Sequence, residues 1–576
     1  MYNSFLKINW NILNDNKELI NNLSINLNLD KILIKILVNR GFNTAESINT
    51  FLNCTLKNTI PNPYLILDMD KAVSRITQAI LNNEKIIIFG DYDVDGMTST
   101  SLLLKTLQCY NVNPEFFIPN RLKGAYGITN DFIKVARINN VKLIIITDSG
   151  IGSINEVNYA NELGIDIVIF DHHPQLINEL PKAIAVVDPN RIDQNEIDNS
   201  DIKNLCAAGV VFVFLLALNN AMSKHNYEKI DMINLVQISA IGTIGDLVPL
   251  VGINRAFVKY FIKQKEYMLG INTLINALDI NSIKASENIA FNLCPVLNAA
   301  GRLGEQDYTV NLLMTNDEHE AVNLSYKLIS LNDKRKNIEK EILEQAVNMI
   351  YSKKLNEKKA ICVYSDMWHE GVIGIIAGKL KDKFNKPVFV ISFDENEFGK
   401  GSARSISGLH IGEIINDAVQ KGILVVGGGH AKAGGLSIYK ENIDKFISFL
   451  EAIIPSNIES QLSIDCVLTE DMDLFDLFNK LKTLEPFGTG FELPLFAFIG
   501  IKLNDIQIKN DTYIRFNFGK CNTKCILFNI NLNKEFIDRL INNKYNLYDI
   551  AGQISYNEKF GLSFIIKDIR INNNIN

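Results

Sequence analysis

Three apolar runs that each end in an acid constrain this chain more than anything else in its 576 residues. Lys85–Phe89 runs into Gly90-Asp91, Val141–Ile146 into Thr147-Asp148, and Asp166–Phe170 into Asp171. The stretches Met97–Cys109 and Asn155–Leu163 have helical character, and Glu115–Ile118 is a further apolar run. Continuously apolar strands alternating with amphipathic helices predict an α/β fold, a parallel sheet covered by helices on both faces. In an open sheet of that kind ligands bind beyond the carboxyl ends of the strands. A single Asp after a strand usually ends a turn or caps a helix; three in one sheet point to a site.

The remainder of the chain divides by pattern. Residues 1–80 read as a helical lead-in: Lys31–Arg40 is apolar-periodic, Gly41 ends it, and Thr44 caps the next helix. The α/β unit with the three acids spans 81–275. Its run Leu205–Leu218, broken only by Gly209, is too short for a bilayer and is expected as a buried helix. A helical linker covers 276–356, and Asn332–Ile350 in it reads equally as a bridge between domains or a solvated surface helix. Lys359–Tyr364 and Pro387–Ser392 restart the strand–helix alternation in a second α/β domain over 357–455. After Pro455 the runs Leu495–Ile508, Tyr513–Phe518, Lys524–Ile530, Ile550–Tyr556 and Leu562–Ile569 predict a small closed or partly open β domain over 456–576.

Charge and cysteines exclude some functions. Lys plus Arg number 58 against 65 Asp plus Glu, a net charge of −7. That argues against a general nucleic-acid coat protein but leaves room for a local basic groove. Eight scattered cysteines and the absence of an apolar leader predict reduced thiols and a cytoplasmic protein without membrane segments. Cys521 and Cys525 are the one close pair, and nothing at zinc-site spacing follows them.

The sharpest motif is Gly90-Asp91-Tyr92-Asp93-Val94-Asp95-Gly96. If the segment stays extended, its three carboxylates face one side, a costly arrangement without a cation. A calcium loop also reads D-x-D-x-D-G, but its twelfth position needs a Glu and here is Leu102. In an extended Asp171-His172-His173, His172 points away from its neighbours, so one imidazole is assigned to a metal, and we choose His172. Asp246, in Gly245-Asp246-Leu247-Val248-Pro249, would by itself read as a capped turn. Carboxylates with one imidazole suit Mn²⁺ or Mg²⁺ better than a thiolate-seeking metal.

GDYDVDG, TDSG, DHH and GTIGDLVPL, in this order, resemble the four motifs of the DHH phosphoesterase superfamily. The likeness extends over nearly the whole chain to RecJ-type single-strand-specific exonucleases. Arg40-Gly41-Phe42 is similar to their lead-in, and Pro119-Asn120-Arg121 with Gly124-Ala125-Tyr126-Gly127 to the segment after their first motif. Asn298–Leu303, Trp368–Gly374, Gly401–Ser405 and Gly427–His430 resemble further signatures, and the last stretch resembles their OB-fold. One departure is Phe491-Glu492-Leu493-Pro494, where the family has Asn-Pro-Glu-Pro after Pro-Phe-Gly-x-Gly.

The resemblance implies a DHH catalytic domain, a DHH-associated domain joined by a long helix, and a C-terminal OB-fold β-barrel. It implies a pair of Mn²⁺ or Mg²⁺ ions held by Asp91, Asp93, Asp95, Asp148, His172 and Asp246, with Asp148 bridging. Catalysis falls to Asp148 and to His173, as support for the ligands or as a contact to the scissile phosphate. Arg121, Tyr126 and Arg302 are candidate contacts to nucleic acid. Ser402, Arg404, Gly429 and His430 fit a pocket for a terminal 5′ phosphate. His369 and His410 read as structural hydrogen-bonders.

The implied activity is 5′-to-3′ hydrolysis of single-stranded DNA to 5′-mononucleotides in repair and recombination, with a channel between the α/β domains too narrow for a duplex. A single-strand-binding protein and a helicase are the partners such a pathway implies, and a monomer is favoured. Two other readings stand beside it. One is a DHH phosphodiesterase for short oligonucleotides or cyclic dinucleotides, which would not need the N-terminal region or the C-terminal β domain. The other is an inactive single-strand-binding relative, which would have lost ligands.

Overall fold

In the computed structural model the described residues are 4–572, apart from 7, 14–15, 122–126, 197–200, 281–282, 457–460, 510–511, 520–522, 543–546 and 558–560. Tyr126 and Cys521 therefore lie outside the described residues. The chain forms two compact units: Thr50–Lys336 with Glu485–Glu492, and the remainder, Met1–Asn49, Asn337–Leu484 and Leu493–Asn576.

The first unit is built on a parallel sheet of β1 (Ile86–Phe89), β2 (Glu115–Phe117), β3 (Leu143–Thr147), β4 (Asp166–Phe170) and β5 (Ala185–Val187), in the order β2-β1-β3-β4-β5. Side chains alternate between two cores. Ile86, Ile88, Leu143, Ile145, Val168 and Phe170 enter one, while Ile87, Phe89, Ile144, Ile146, Ile167 and Ile169 enter the other. Both faces are buried, which is why these strands read as unbroken apolar runs. Phe89 pairs with Ile146, Thr147 with Phe170, and Phe170 with Val187. That register puts Asp148, Asp171 and Asp188, each the next residue along, side by side at one sheet edge. The apolar run at 205–218 is buried as helix α2 (Ala207–Ser223), packed on α1 (Val94–Cys109) and α3 (Val236–Gly245). Among the described residues no helix is long and apolar enough to cross a membrane.

The long charged stretch is part of one 35-residue helix, Glu318–Ser352, which passes from the first unit into the second at Lys336–Asn337. There a five-stranded sheet contains β6 (Ile361–Ser365), β7 (Val388–Phe393), β8 (Phe398–Arg404), β9 (Val426–Gly429) and β10 (Ala433–Tyr439), ordered β9-β10-β8-β7-β6. Only β6 and β7 are parallel. The last three strands escape the sequence pattern because glycine and serine interrupt their apolar alternation. The lead-in is not wholly helical either: Asn9–Ile12 is a strand paired in parallel with Gln461–Ile464.

The C-terminal sheet has seven strands, β11 (Cys466–Leu468), β12 (Phe496–Ile501), β13 (Leu503–Lys509), β14 (Tyr513–Phe518), β15 (Thr523–Phe528), β16 (Tyr548–Asn557) and β17 (Gly561–Ile571). Their order is β11-β12-β16-β17-β15-β14-β13. The expected barrel is therefore not closed by hydrogen bonds among the described residues. The run 495–508 divides at Lys502 into β12 and β13; β13 ends the ladder and β12 lies one strand in from the other end, and a register shift before Ile501 and the positive φ of Gly500 make the bend.

Asp568 on β17 is fully buried and accepts from Leu6 N at 2.8 Å and Trp10 Nε1 at 2.7 Å. Burial pushes its carboxyl up to about 6, against the pull of these donors. The folded state therefore holds this proton more tightly than the unfolded chain, whose aspartate ionises near 3.8. The stabilisation is complete below about pH 4 and is lost as pH rises through about 6. Across that window the protein should lose on the order of 2–3 kcal/mol that Asp568→Asn keeps. Denaturation midpoints of both proteins on either side of the window measure this, and parallel pH profiles would refute it.

Candidate metal centre

The motif after β1 does not stay extended. Asp93 is the N-cap of α1, and its Oδ1 accepts from Asp95 N at 2.9 Å and Gly96 N at 3.2 Å. These bonds satisfy the exposed helix N–H groups, so the chain turns helical after Asp93. Asp95, in the first turn, thus leaves the side shared by Asp91 and Asp93. Its carboxylate meets the start of α2, accepting from Ala207 N at 2.6 Å and Ala208 N at 2.9 Å. Gly96 is required here, since a Cβ would stand 2.6 Å from Asp91 N.

The DHH segment turns as well. Asp171 Oδ1 accepts from His172 N at 2.8 Å and His173 N at 3.2 Å, and its Oδ2 accepts from Ile151 N at 3.0 Å. This local turn overturns the expectation that the two imidazoles face opposite ways: their ring centres are 4.5 Å apart and both reach the cluster. Asn190 Nδ2 holds the His172 carbonyl at 2.7 Å.

Potential ligand atoms lie within 4.8 Å of one another in three groups: Asp91, Asp93 and Asp148; Asp95, His172 and Asp246; Asp148, His172 and His173. Asp148 and His172 each belong to two. Asp148 takes a left-handed φ of 62° at the end of β3, a conformation short polar residues tolerate and functional sites often retain. The His172 Nε2 is 3.3 Å from Asp148 Oδ1, 3.6 Å from Asp246 Oδ2 and 3.8 Å from Asp95 Oδ2, yet it forms no hydrogen bond. Asp91 Oδ1 is likewise buried without a partner.

Electrostatics agree with this geometry. Burial, then repulsion from neighbouring carboxylates, holds Asp91 and Asp148 well above the ordinary range and Asp246 at about 9. Burial also lowers His172, which favours the neutral, ligating imidazole. Asp171 behaves oppositely. Burial would raise it, but the His173 hydrogen bond and charge bring it to about 2. Burial would lower His173, but the 2.7 Å bond to Asp171 raises it to about 9. A buried set of hard donors with orphaned atoms and mutual repulsion fits divalent cations, with Asp91, Asp93, Asp95, Asp148, His172 and Asp246 able to hold them.

Arg121 lies 5.1 Å over the ring of Tyr92, and Arg302, at the end of helix Cys294–Arg302, also acts on that phenol. Arg121 thus stands over a tyrosine between Asp91 and Asp93 that the sequence did not single out. In the second unit Arg404 Nη1 donates to Ser402 Oγ at 3.2 Å. Arg404 pairs in register with Ala433, opposite the hairpin that carries Gly429 and His430. A Cβ at Gly429 would stand 2.3 Å from Ala433 O. His410 caps a helix by accepting from Glu413 N, and His369 accepts from Gly371 N, so both make local structural bonds. Asp188 and Asn190 escaped the site assignment, and Asp171, one of the three strand-end acids, was given no role as a ligand. Asp188, fully buried, is raised to about 8 by burial and by Asp171. Its signal was positional, one more acid after a strand, but that strand is three residues long.

A parallel sheet with acids at successive strand ends, completed by a histidine pair and by Asp246, defines a phosphoesterase of the DHH class. Residues 85–243 match the DHH family, N-terminal domain, residues 356–456 the DHHA1 domain, and residues 464–568 the RecJ OB domain. The chain is 33% identical over 494 residues to the single-stranded-DNA-specific exonuclease RecJ of Bacillus subtilis, covering 84% of this chain and 60% of that protein. It is 30% identical over 493 residues to RecJ of Escherichia coli, covering 81% and 83%. In fold it resembles the crystal structure of RecJ in complex with Mn²⁺ from Thermus thermophilus, with a TM-score of 0.79 at 24% identity, covering 98% of this chain and 79% of that one. The chain belongs to the RecJ family of single-stranded-DNA-specific exonucleases.

Metal removal should be visible without substrate. Mn²⁺ at about 100 times its Kd should stabilise the metal-stripped protein by about 2.7 kcal/mol. Asp148→Asn should melt no lower than the stripped protein, because one repelling charge is gone, and should gain little from Mn²⁺. An equal Mn²⁺ response in both proteins would remove Asp148 from the centre.

Proposed function

We propose that this chain is a divalent-metal-dependent exonuclease that degrades single-stranded DNA from the 5′ end to 5′-mononucleotides. The observation that carries the reading is the convergence of three carboxylates on the unbonded Nε2 of His172. The metal ions, Mn²⁺ or Mg²⁺ and two in number, would supply an acidified water and neutralise the phosphate oxygens. Asp91, Asp93, Asp95, Asp148, His172 and Asp246 would hold them.

The chain's own groups complete the reaction. His173, fixed through Nδ1 by its 2.7 Å bond to Asp171, presents its ring to the scissile phosphate. Arg121, stacked over Tyr92, and Arg302 offer cations to the backbone phosphates. Tyr126 is kept as a stacking partner for a base. Water oxygen bonds to phosphorus, the P–O3′ bond breaks, and the proton passes to the departing 3′ oxygen. The released nucleotide keeps its 5′ phosphate, and the shortened strand begins with a new one. Ser402, Arg404, Gly429 and His430 are proposed as the pocket for that recurring terminal phosphate, which would set polarity. The C-terminal sheet adds a surface for single strands. The same reading places the enzyme in the cytoplasm, as a monomer acting in repair and recombination beside a single-strand-binding protein and a helicase.

The test is one oligonucleotide labelled in turn at each end, incubated with Mn²⁺ or Mg²⁺, beside an EDTA control and a matched blunt duplex. Metal-dependent release of mononucleotides from the 5′ end, with the duplex spared, is the expected result. Binding without cleavage would make the chain a single-strand-binding module, and cleavage of very short oligomers alone would make it a small-substrate phosphodiesterase. Asp148→Ala should abolish turnover in a folded protein. In the same assay Arg404→Ala should lose activity chiefly on 5′-phosphorylated ends; an equal loss on 5′-hydroxyl ends would dismiss the terminal-phosphate role.

A further inference from the structure

Glu485–Glu492 belongs to the unit that contains the metal centre, although Asn337–Leu484 before it and Leu493–Asn576 after it belong to the other. The segment carries the Pro-Phe-Gly-x-Gly run and the start of the Phe491–Pro494 departure. Its anchor is Arg255, fully buried on helix α4 (Gly252–Lys263). The guanidinium donates to Pro486 O at 2.8 Å, Glu485 O at 2.9 Å and Phe51 O at 3.3 Å, and lies 3.8 Å over the Phe51 ring. Carbonyls in a fixed fork and an aromatic face suit a buried guanidinium. Phe491 packs on Phe51 with ring centres 4.4 Å apart, and Ser286 Oγ donates to Phe487 O.

The tip of this segment rests on the chain just beyond Asp246. Gly488 and Phe491 exchange backbone hydrogen bonds at 3.0 Å, closing a tight turn. At its apex Thr489 O accepts from Leu250 N at 2.8 Å. Gly490 has a φ of 75°, and a Cβ there would stand 2.9 Å from Pro249 Cβ. A Cβ on Gly488 would stand 2.7 Å from Leu250 Cδ1. The glycines let the turn lie flat on Pro249-Leu250. Between this contact and the metal centre the backbone is strained: Leu247, next to Asp246, has a φ of 59°. Such a conformation persists where its surroundings over-determine it. Asp246 N is tied back to Gly242 O at 2.9 Å, and Asn254 Nδ2 holds Pro249 O at 3.0 Å. Leu247 N also donates to Ile244 O at 3.3 Å, and the 485–492 turn adds a restraint from a distant part of the chain.

We propose that Glu485–Glu492 is a positioning element for Asp246. By fixing Pro249-Leu250 it holds the strained turn at Leu247, and so sets where the Asp246 carboxylate stands relative to Asp95 and His172. The Pro-Phe-Gly-x-Gly run then acts on metal affinity without touching metal or substrate. The inference rests on Asp246 being a metal ligand.

The experiment titrates Mn²⁺ into the metal-stripped full chain and reads free Mn²⁺ by electron paramagnetic resonance. Gly490→Ala should bind Mn²⁺ about tenfold more weakly, the size of effect seen when a residue supporting a ligand is lost. Its nuclease rate should return toward that of the natural protein at high Mn²⁺, whereas that of Asp246→Asn should not. The double variant should bind no more weakly than Asp246→Asn alone, because the glycine acts through that carboxylate. Unchanged Mn²⁺ affinity in folded Gly490→Ala, or losses that add in the double variant, would overturn the proposal. If Gly490→Ala does not fold, Gly488→Ala presses on the Leu250 side chain and not on backbone, and is judged by the same criteria. Failure of the unmutated chain to bind Mn²⁺ would instead remove the metal-site reading on which the proposal stands.

Discussion

Repulsion among buried and half-buried carboxylates is the constraint on which the metal-centre unit depends. Asp91, Asp93, Asp95, Asp148 and Asp246 are brought to one place, and three of their oxygens crowd a single imidazole nitrogen. No arrangement of side chains alone makes that stable with every group ionised. The fold lowers the cost where it can. Asp93 spends one oxygen on the N-terminus of α1, and Asp95 spends both on the N-terminus of α2. Helix N-termini carry positive potential, so these two charges are partly offset before any ion binds. Asp91, Asp148 and Asp246 have no such helix beneath them, and theirs are the carboxyls that burial and repulsion push furthest up. The demand for a cation is concentrated there.

Asp171 shows how one residue type serves two ends in the same row of strands. It stands beside Asp148 in register, equally buried, yet its carboxylate is wholly occupied by N–H groups and by His173. It is therefore strongly acidic, and its neighbour's ring is strongly basic. A carboxylate that makes every bond it can organises a turn; one that faces an unbonded imidazole nitrogen, as Asp148 faces His172, waits for a ligand. Hydrogen bonding, more than burial or position on the sheet, separates the two roles.

The division of the chain follows a similar logic. The sheet that contains Asp148 is closed off by helices from residues 50–336, but the loop beyond Asp246 is completed by eight residues from near position 490. Arg255 makes that possible, because a buried guanidinium needs acceptors and the segment offers carbonyls at the right spacing. The same stretch holds the departure at Phe491, and the structure gives that residue a place: its ring packs between Phe51 and Phe487. An apolar ring is suited to this buried position, and Phe491 is 1% exposed.

The sequence by itself determined the elements whose signals are local. Strands 86–89, 143–147 and 166–170 were legible because burial on both faces demands unbroken apolar residues, and their terminal acids because a strand end is a fixed place in a parallel sheet. The helix at 207–223 was legible for the same reason. The Gly-rich strands 398–404 and 426–429 were not, since their pairing comes from partners on other strands and not from their own alternation. Nor were the turns at Asp93 and Asp171, where one side-chain hydrogen bond outweighs the extended pattern. Only the tertiary structure decided that Asp95 meets a helix start 112 residues away and that Arg255 reaches carbonyls 230 and 231 residues on. Periodicity reports what a residue is buried against, but a long-range polar bond leaves no period in the chain. Such contacts become visible once the fold has brought their partners together.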